Sequence, residues 1–236
     1  ISQGQPVTVV LKVFNHETPL ERVFKELDIG YQIHSPYVVR YERIPGHWQG
    51  KRFFIVMDYV PGETMRQLIE RKERPNRETF NSIARSLMEG VRALHEYKGE
   101  NGAQKTIVHG DIKPENIIIT PKEKPVIIDL GIAGPPRVDA FQGTSGYIPP
   151  DSIRGTDRDF SPRSDLFALG VTLWEWLFGA KPYENPAIGD KPVIPEDLPE
   201  FKDLHPWLEK AVATEPGKGF ASIAEMWDGF TKGMPV

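Results

Sequence analysis

Residues 164–178 read SDLFALGVTLWEWLF, apolar nearly all the way round a helix, and no other stretch limits the fold as strongly. The most apolar part, residues 166–178, is shorter than the roughly 20 residues a membrane span needs, and Glu175 interrupts it. It therefore reads as a buried helix, with Trp174 and Trp176 as core residues. A chain of 236 residues can wrap such a helix without covalent staples. The absence of Cys removes disulfides, thiolate metal sites and cysteine nucleophiles. A net charge of −4 argues against nucleic acid as a partner, because phosphate contacts need a basic surface. The opening ISQGQPVTVVLKV lacks the charged start and long apolar stretch of a secretion signal. With no membrane segment, the expectation is a cytoplasmic protein. The chain opens in what reads as a strand, so flanking sequence and further domains in a longer polypeptide are expected.

Texture divides the chain near residue 60. Residues 6–14 (PVTVVLKVF) are β-branched and predict a strand. Residues 19–33 follow a proline and space Leu20, Phe24, Leu27 and Ile33 at roughly helical period. Strands are predicted at 37–41 and 53–59, separated by the turn-like IPGHWQGK, and the VPG at 60–62 is a break. Beyond it, Phe80, Ile83, Leu87, Val91 and Leu94 predict a long amphipathic helix over 77–97. Short β-like runs follow at 106–108, 117–120 and 126–130, then the buried helix, a proline-rich loop over 181–206, and two short helices around EPGKG. The expected architecture is α+β and two-lobed: a small β-rich lobe over residues 1–60 and a larger, mainly helical lobe over 61–236.

Two polar segments lie among the β-like runs. His109-Gly110-Asp111-Ile112-Lys113-Pro114-Glu115-Asn116 precedes one, and Asp129-Leu130-Gly131 ends the next. Together they offer carboxylates, an amide and a lysine on adjacent loops. Asp and Asn oxygens suit Mg²⁺, which takes one or two protein ligands and leaves the rest to phosphate and water. A lysine supplies a point charge for a phosphoryl group, and a remaining Asp can accept a hydroxyl proton. Those are the parts phosphoryl transfer needs. Lys12, in an apolar strand, needs a partner of its own.

These segments resemble the motifs of the eukaryotic-type (Hanks-type) serine/threonine protein kinases. HGDIKPEN resembles the catalytic loop with Gly110 where the family has Arg. DLG resembles DFG, VVLK at 9–12 resembles VAIK, GTSGYIPPD at 143–151 resembles the segment ending in APE, and SDLFALG resembles the start of the helix that anchors the large lobe. The matches run in family order over nearly the whole chain.

The resemblance implies a bilobal kinase fold and ATP- and Mg²⁺-dependent transfer of the γ-phosphoryl group to Ser or Thr hydroxyls of a protein substrate, with Mn²⁺ as an alternative ion. Asp111 would orient the substrate hydroxyl and take its proton, and Lys113 would hold the γ-phosphate. Asn116 and Asp129 would bind the metal. Lys12 would hold the α- and β-phosphates and pair with Glu26, ten residues before Pro36, with Glu21 as runner-up. Met57 would be the gatekeeper, the backbone of Asp58 and Val60 would bond adenine, and Val10, Met65 and Ile118 would sandwich it. His109 would be scaffold, tied to Asp165.

The chain also departs from the family. No G-x-G-x-x-G precedes Lys12, so the small lobe is expected to be incomplete here, with that loop outside the chain or absent. Residues 132–143 hold no Ser, Thr or Tyr, and with Gly110 this predicts no phosphorylation switch in that loop. Asp151 and Gly219 stand where the family has a Glu–Arg pair, so the pair is expected to be lost or rebuilt with Lys218. Two other readings remain: a pseudokinase serving as a binding module, and a small-molecule phosphotransferase of the aminoglycoside or choline kinase type, whose loop is also HGD.

Overall fold

The strand-rich beginning forms β1 (Val9–Val13), β2 (Gly46–Trp48) and β3 (Arg52–Asp58), an antiparallel sheet of order β1-β3-β2 with Lys12 opposite Ile55 and Val10 opposite Met57. The computed structural model describes residues 7–42, 46–48, 52–99, 102–140, 143–154, 157–195 and 197–233. Helix α1 (Leu20–Gln32) crosses the sheet and buries Val23, Glu26, Leu27, Ile29 and Gly30. Gly46–Trp48, expected within a turn, is a strand paired with β3. The expected strand at 37–41 is only two isolated bridges, Val38 with Ile127 and Tyr41 with Met57. Its hydrogen bonds change partner midway. Val39 N–H donates to Ile127 and Ile127 N–H to Tyr37, whereas Asp58 N–H donates to Arg40 and Glu42 N–H to Val56. The segment thus stitches the small sheet to the strand that precedes Asp129 instead of extending either.

The larger part begins with β4 (Glu63–Thr64) and α2 (Met65–Glu70), whose start is closed by a capping box between Thr64 and Gln67. The amphipathic segment is α3 (Arg77–His95), capped by Asn76 accepting from Thr79 N–H. Strands β5 (Ile117–Ile119) and β6 (Pro125–Ile127) form an antiparallel pair with Ile117 opposite Ile127, and β4 joins at β5. They hold the two polar segments side by side, one entering β5 and the other leaving β6. The expected strand at 106–108 is a single bridge, Val108 with Gly134. A third sheet, unforeseen, joins β7 (Arg137–Ala140), β8 (Ile153–Arg154) and β9 (Asp157–Phe160) in the order β7-β9-β8.

Helix α4 (Pro162–Phe178) starts with Pro in its first turn and stops at Gly179, which takes a left-handed φ of 79°. Every residue from Ser164 to Phe178 is buried. Around it pack α2, α3 and α5 (His205–Ala211), with α6 (Ile223–Lys232) against α3 and α5, and Trp174, Trp176, Phe80 and Phe201 lie in one core. The proline-rich stretch is loop apart from a 3₁₀ turn at Pro199–Leu204. A second core joins Val23, Leu27, Tyr41 and Ile55 to Leu94, Val126 and Leu130, so the small sheet and the loop after β6 share one apolar interior. No described helix is long and apolar enough to cross a membrane.

A Cβ on Gly170 of α4 would lie 2.8 Å from the carbonyl oxygen of Ala211 on α5. The helices touch there through backbone, which cannot step aside. Gly170→Val is expected to lower stability by about 2 kcal/mol or more, read as a fall in Tm. An unchanged Tm would show that the contact yields.

Candidate active site

The buried acid Asp165 of α4 anchors the first polar segment. Its Oδ2 accepts from the backbone N–H of His109 at 2.8 Å, and its Oδ1 from that of Gly110, also at 2.8 Å. His95, from the last turn of α3, meets Oδ2 through Nε2 at 2.9 Å. The expected tie from His109 to Asp165 therefore runs through the backbone, and the ring on the acid is that of His95. The His109 ring is occupied elsewhere. Asp111 N–H donates to its Nδ1 and its Nε2 donates to the carbonyl of Ile128, so it joins the two polar segments.

Burial opposes the charge on Asp165. The hydrogen bond and charge of His95, with the Gly110 N–H, outweigh it and hold the carboxyl below the ordinary range.

Gly110 is required by its surroundings. Its φ is 80°, and a Cβ there would lie 2.1 Å from the Phe160 ring. Phe160 is fully buried, and the Arg137 guanidinium lies 4.0 Å from its ring centroid. An arginine side chain at position 110 would run into that ring.

Beyond Gly110, Asp111 is bound on several sides. Asn116 Nδ2 donates to its carbonyl at 2.9 Å and to Oδ2 at 3.1 Å. Lys113 Nζ lies 2.8 Å from Oδ2. The Thr144 hydroxyl donates to Oδ1 at 2.7 Å and accepts from Lys113 Nζ at 2.8 Å. Asp111, Lys113, Asn116 and Thr144 thus form one polar cluster. Both donations of the Asn116 amide go to Asp111, which turns its Oδ1 away from that residue.

Across the cleft, Lys12 Nζ lies 2.6 Å from Glu26 Oε1 and 2.7 Å from Asp129 Oδ1. Glu21 is exposed and takes no part. Asp129 has a left-handed φ of 64°, a strained backbone for a non-glycine residue, and its Oδ1 also accepts from Gly131 N–H. A Cβ on Gly131 would lie 3.0 Å from Asp129 Oδ1 and 3.1 Å from Lys12 Nζ, so this glycine keeps the ion triad uncrowded. Partial burial works against the Asp129 charge. The hydrogen bond and charge of Lys12, with Gly131 N–H, more than compensate and lower its pKa. The Asp129 side chain remains 47% exposed, so it can still meet a ligand.

The expected base pocket is assembled unevenly. Met57 is buried beside Val10 across the β1–β3 ladder, and Ile118 lies opposite Thr64. Val10 and Ile118 keep some exposed surface, whereas Met65 has none and sits in the core with Ile69 and Phe80. Asp58 donates its N–H to Arg40, so of its two backbone groups only the carbonyl can face a ligand. Val60 is half-buried against the second core.

Several residues of the site carry no motif. Arg66 of α2 donates to Glu115 Oε1 at 2.7 Å, to Glu175 Oε1 at 2.8 Å and to the Tyr147 hydroxyl at 2.9 Å, and that hydroxyl donates to Glu175. One guanidinium thereby joins α2, the 109–116 loop, the 143–151 segment and α4. Glu175, the charge inside an apolar helix, was the available sequence signal, since a buried acid requires a partner. Asp151 does not pair with Lys218. Its partner is Arg163, 2.6 Å away, whose Nε would lie 3.9 Å from a Cβ on Gly219. Tyr41 is the third omission: its hydroxyl donates to Glu26 Oε1 at 3.0 Å.

Among the described residues no three His, Asp or Glu side chains gather to hold a metal ion. The oxygens of Asn116 and Asp129 fit a hard cation whose other ligands are phosphate and water.

Comparison with known proteins places this geometry. Residues 3–204 match the family model for the protein kinase domain. A MAP kinase kinase of Saccharomyces cerevisiae is 30% identical over 198 residues, covering 78% of this chain and 37% of its own length. The serine/threonine-protein kinase PknB of Mycobacterium leprae is 32% identical over 195 residues, covering 73% of this chain and 29% of its own. Aurora/IPL1-related protein kinase 2 of Caenorhabditis elegans is 28% identical over 172 residues, with 72% and 52% covered. The chain thus spans from 29% to 52% of the length of these relatives.

Two outcomes follow. Gly110→Ala combines a left-handed φ with a collision and is expected to cost about 2 kcal/mol or more, measured by denaturant unfolding. Asp165 has a lowered folded-state pKa, so its contribution is present above the unfolded value of about 4 and is lost as pH falls through the folded one. Stability of the wild type is therefore expected to fall more steeply than that of Asp165→Asn between about pH 5 and pH 2, followed by calorimetry. Parallel curves would contradict it.

Proposed function

We propose, because the chain belongs to the protein kinase domain family, that it transfers the γ-phosphoryl group of ATP, bound with Mg²⁺ or Mn²⁺, to Ser or Thr hydroxyls of protein substrates. The observation that carries this reading is a cluster of Asp111, Lys113, Asn116 and Thr144 and a Lys12–Glu26–Asp129 triad on two segments joined through Ile128, which bonds to Asn116 and His109.

In this reading the acceptor hydroxyl donates to Asp111, whose carboxylate already accepts from a hydroxyl, that of Thr144. The acceptor oxygen bonds to the γ-phosphorus as the bond to the β-phosphate oxygen breaks. The electron pair of that bond leaves with ADP, and the acceptor proton passes to Asp111. Lys113 steadies the Asp111 carboxylate and offers positive charge to the moving phosphoryl group. Lys12 holds the α- and β-phosphates, while Glu26 keeps its ammonium extended into the cleft. Asn116 Oδ1 and the Asp129 carboxylate would hold the metal, which when bound draws negative charge from the phosphate oxygens. Thr144 lies within GTSGYIPPD, and its bonds to Asp111 and Lys113 tie that segment to the reacting groups, which supports a peptide acceptor.

The test is transfer of labelled γ-phosphate to Ser- and Thr-containing peptides. The wild type is expected to label them with Mg²⁺ and to stop when the metal is chelated. Asp111→Asn and Asp129→Asn are each expected to lose a factor of roughly 10² or more. Equal labelling by all three proteins, or label on small alcohols and none on peptide, would overturn the reading.

A further inference from the structure

Tyr41 lies outside every motif, yet it touches Glu26 of the Lys12 triad and the backbone that follows Asp129. The residue has no exposed surface. Its ring fills a notch in α1 that exists because residue 30 is glycine: a Cβ there would be 2.4 Å from the ring. Gly30 is one turn beyond Glu26, so both lie on the helix face that meets the tyrosine. The Tyr41 hydroxyl donates to Glu26 Oε1 at 3.0 Å, the same oxygen that takes the Lys12 ammonium at 2.6 Å. It also accepts from the backbone N–H of Leu130 at 3.4 Å. Leu130 follows Asp129, so one hydroxyl is bonded to the acid that steadies Lys12 and to the chain that carries Asp129. Burial first, then the neighbouring Glu26 charge, raise the phenol pKa far above its ordinary value, so the group remains a donor.

We infer that Tyr41 is a positioning residue for phosphoryl transfer, its hydroxyl aiming Glu26 at Lys12 and pinning the backbone at Leu130. The inference rests on the proposed activity and adds a residue to it. Ring and hydroxyl have separable jobs. The ring packs against Gly30 and maintains the fold, whereas the hydroxyl sets the direction of a carboxylate with no effect on volume. A glycine in mid-helix costs about 1 kcal/mol relative to alanine, and here it gives the ring access to Glu26.

Tyr41→Phe separates the two jobs, because the ring stays in its notch. Loss of a hydrogen bond to a charged group is expected to lower kcat about tenfold, with Tm within a few degrees of wild type and KM for Mg·ATP changed less than about threefold. The second readout needs no nucleotide. Hydrogen exchange of the Leu130 amide in the full chain is expected to speed up about tenfold or more in Tyr41→Phe. Wild-type kcat together with unchanged Leu130 exchange would overturn the inference. A wild-type protein that transfers no phosphate would defeat the proposed activity instead, and Leu130 exchange would still decide whether the hydroxyl fixes that backbone.

Discussion

One buried carboxylate sets the position of the 109–116 loop. Asp165 sits on a helix whose other neighbours are almost wholly apolar, and it survives there because two backbone N–H groups and His95 surround it. Those N–H groups belong to His109 and Gly110, immediately before Asp111. The 109–116 loop is therefore bolted to a helix buried from Ser164 to Phe178, and the left-handed turn at Gly110 is held by that bond and by the Phe160 ring. Ten residues along the same helix, about 15 Å at the usual rise, Glu175 accepts from Arg66 and Tyr147, and Arg66 in turn holds Glu115. The apolar helix thus carries two anchored charges, one beneath the 109–116 loop and one beneath the segment that follows Thr144.

The two polar groups of the cleft are organised differently. Around Asp111 the side-chain bonds are short-range in sequence, apart from Thr144, within a loop that Asp165 anchors from α4. Around Lys12 the partners come from three elements far apart in the chain: β1, α1 and the loop after β6. Their alignment depends on the second core, in which Tyr41 and Leu130 pack with the residues that place α1. Asp129 is paired with Lys12 at 2.7 Å. Asp129 would serve as a metal ligand only with its carboxylate released from Lys12, whose ammonium would then be free to meet phosphate oxygens.

Much of this was readable in the sequence, for physical reasons. Phosphoryl transfer demands particular residue types at short fixed spacings, so the 109–116 and 129–131 segments stood out. The buried helix announced itself by lacking a polar face. A lysine in an apolar strand required an acid, and Glu26 rather than exposed Glu21 meets it. What could not be read depends on three-dimensional neighbours. Nothing in RYE at 40–42 marks a hydroxyl as important, although Gly30 within a helix was a hint that something packs closely there. DRDF at 157–160 is too charged to suggest a strand, yet it pairs with Arg137–Ala140, and its Phe160 ring lies against Gly110. Arg163 rather than Lys218 meets Asp151, from the first turn of α4 and 12 residues along the chain. The segment at 37–41 has strand composition, but its backbone bonds are divided between two sheets.

The most direct test of the account is where a divalent ion lands. Crystals of the chain grown with Mn²⁺ and a non-hydrolysable ATP analogue would reveal the ion by its anomalous scattering. The account predicts a peak about 2.1 Å from the Asn116 Oδ1 and Asp129 carboxylate oxygens, with Lys12 turned from Asp129 to the phosphates. A peak away from both residues, or nucleotide bound with the Lys12–Asp129 contact intact and no ion beside it, would contradict it.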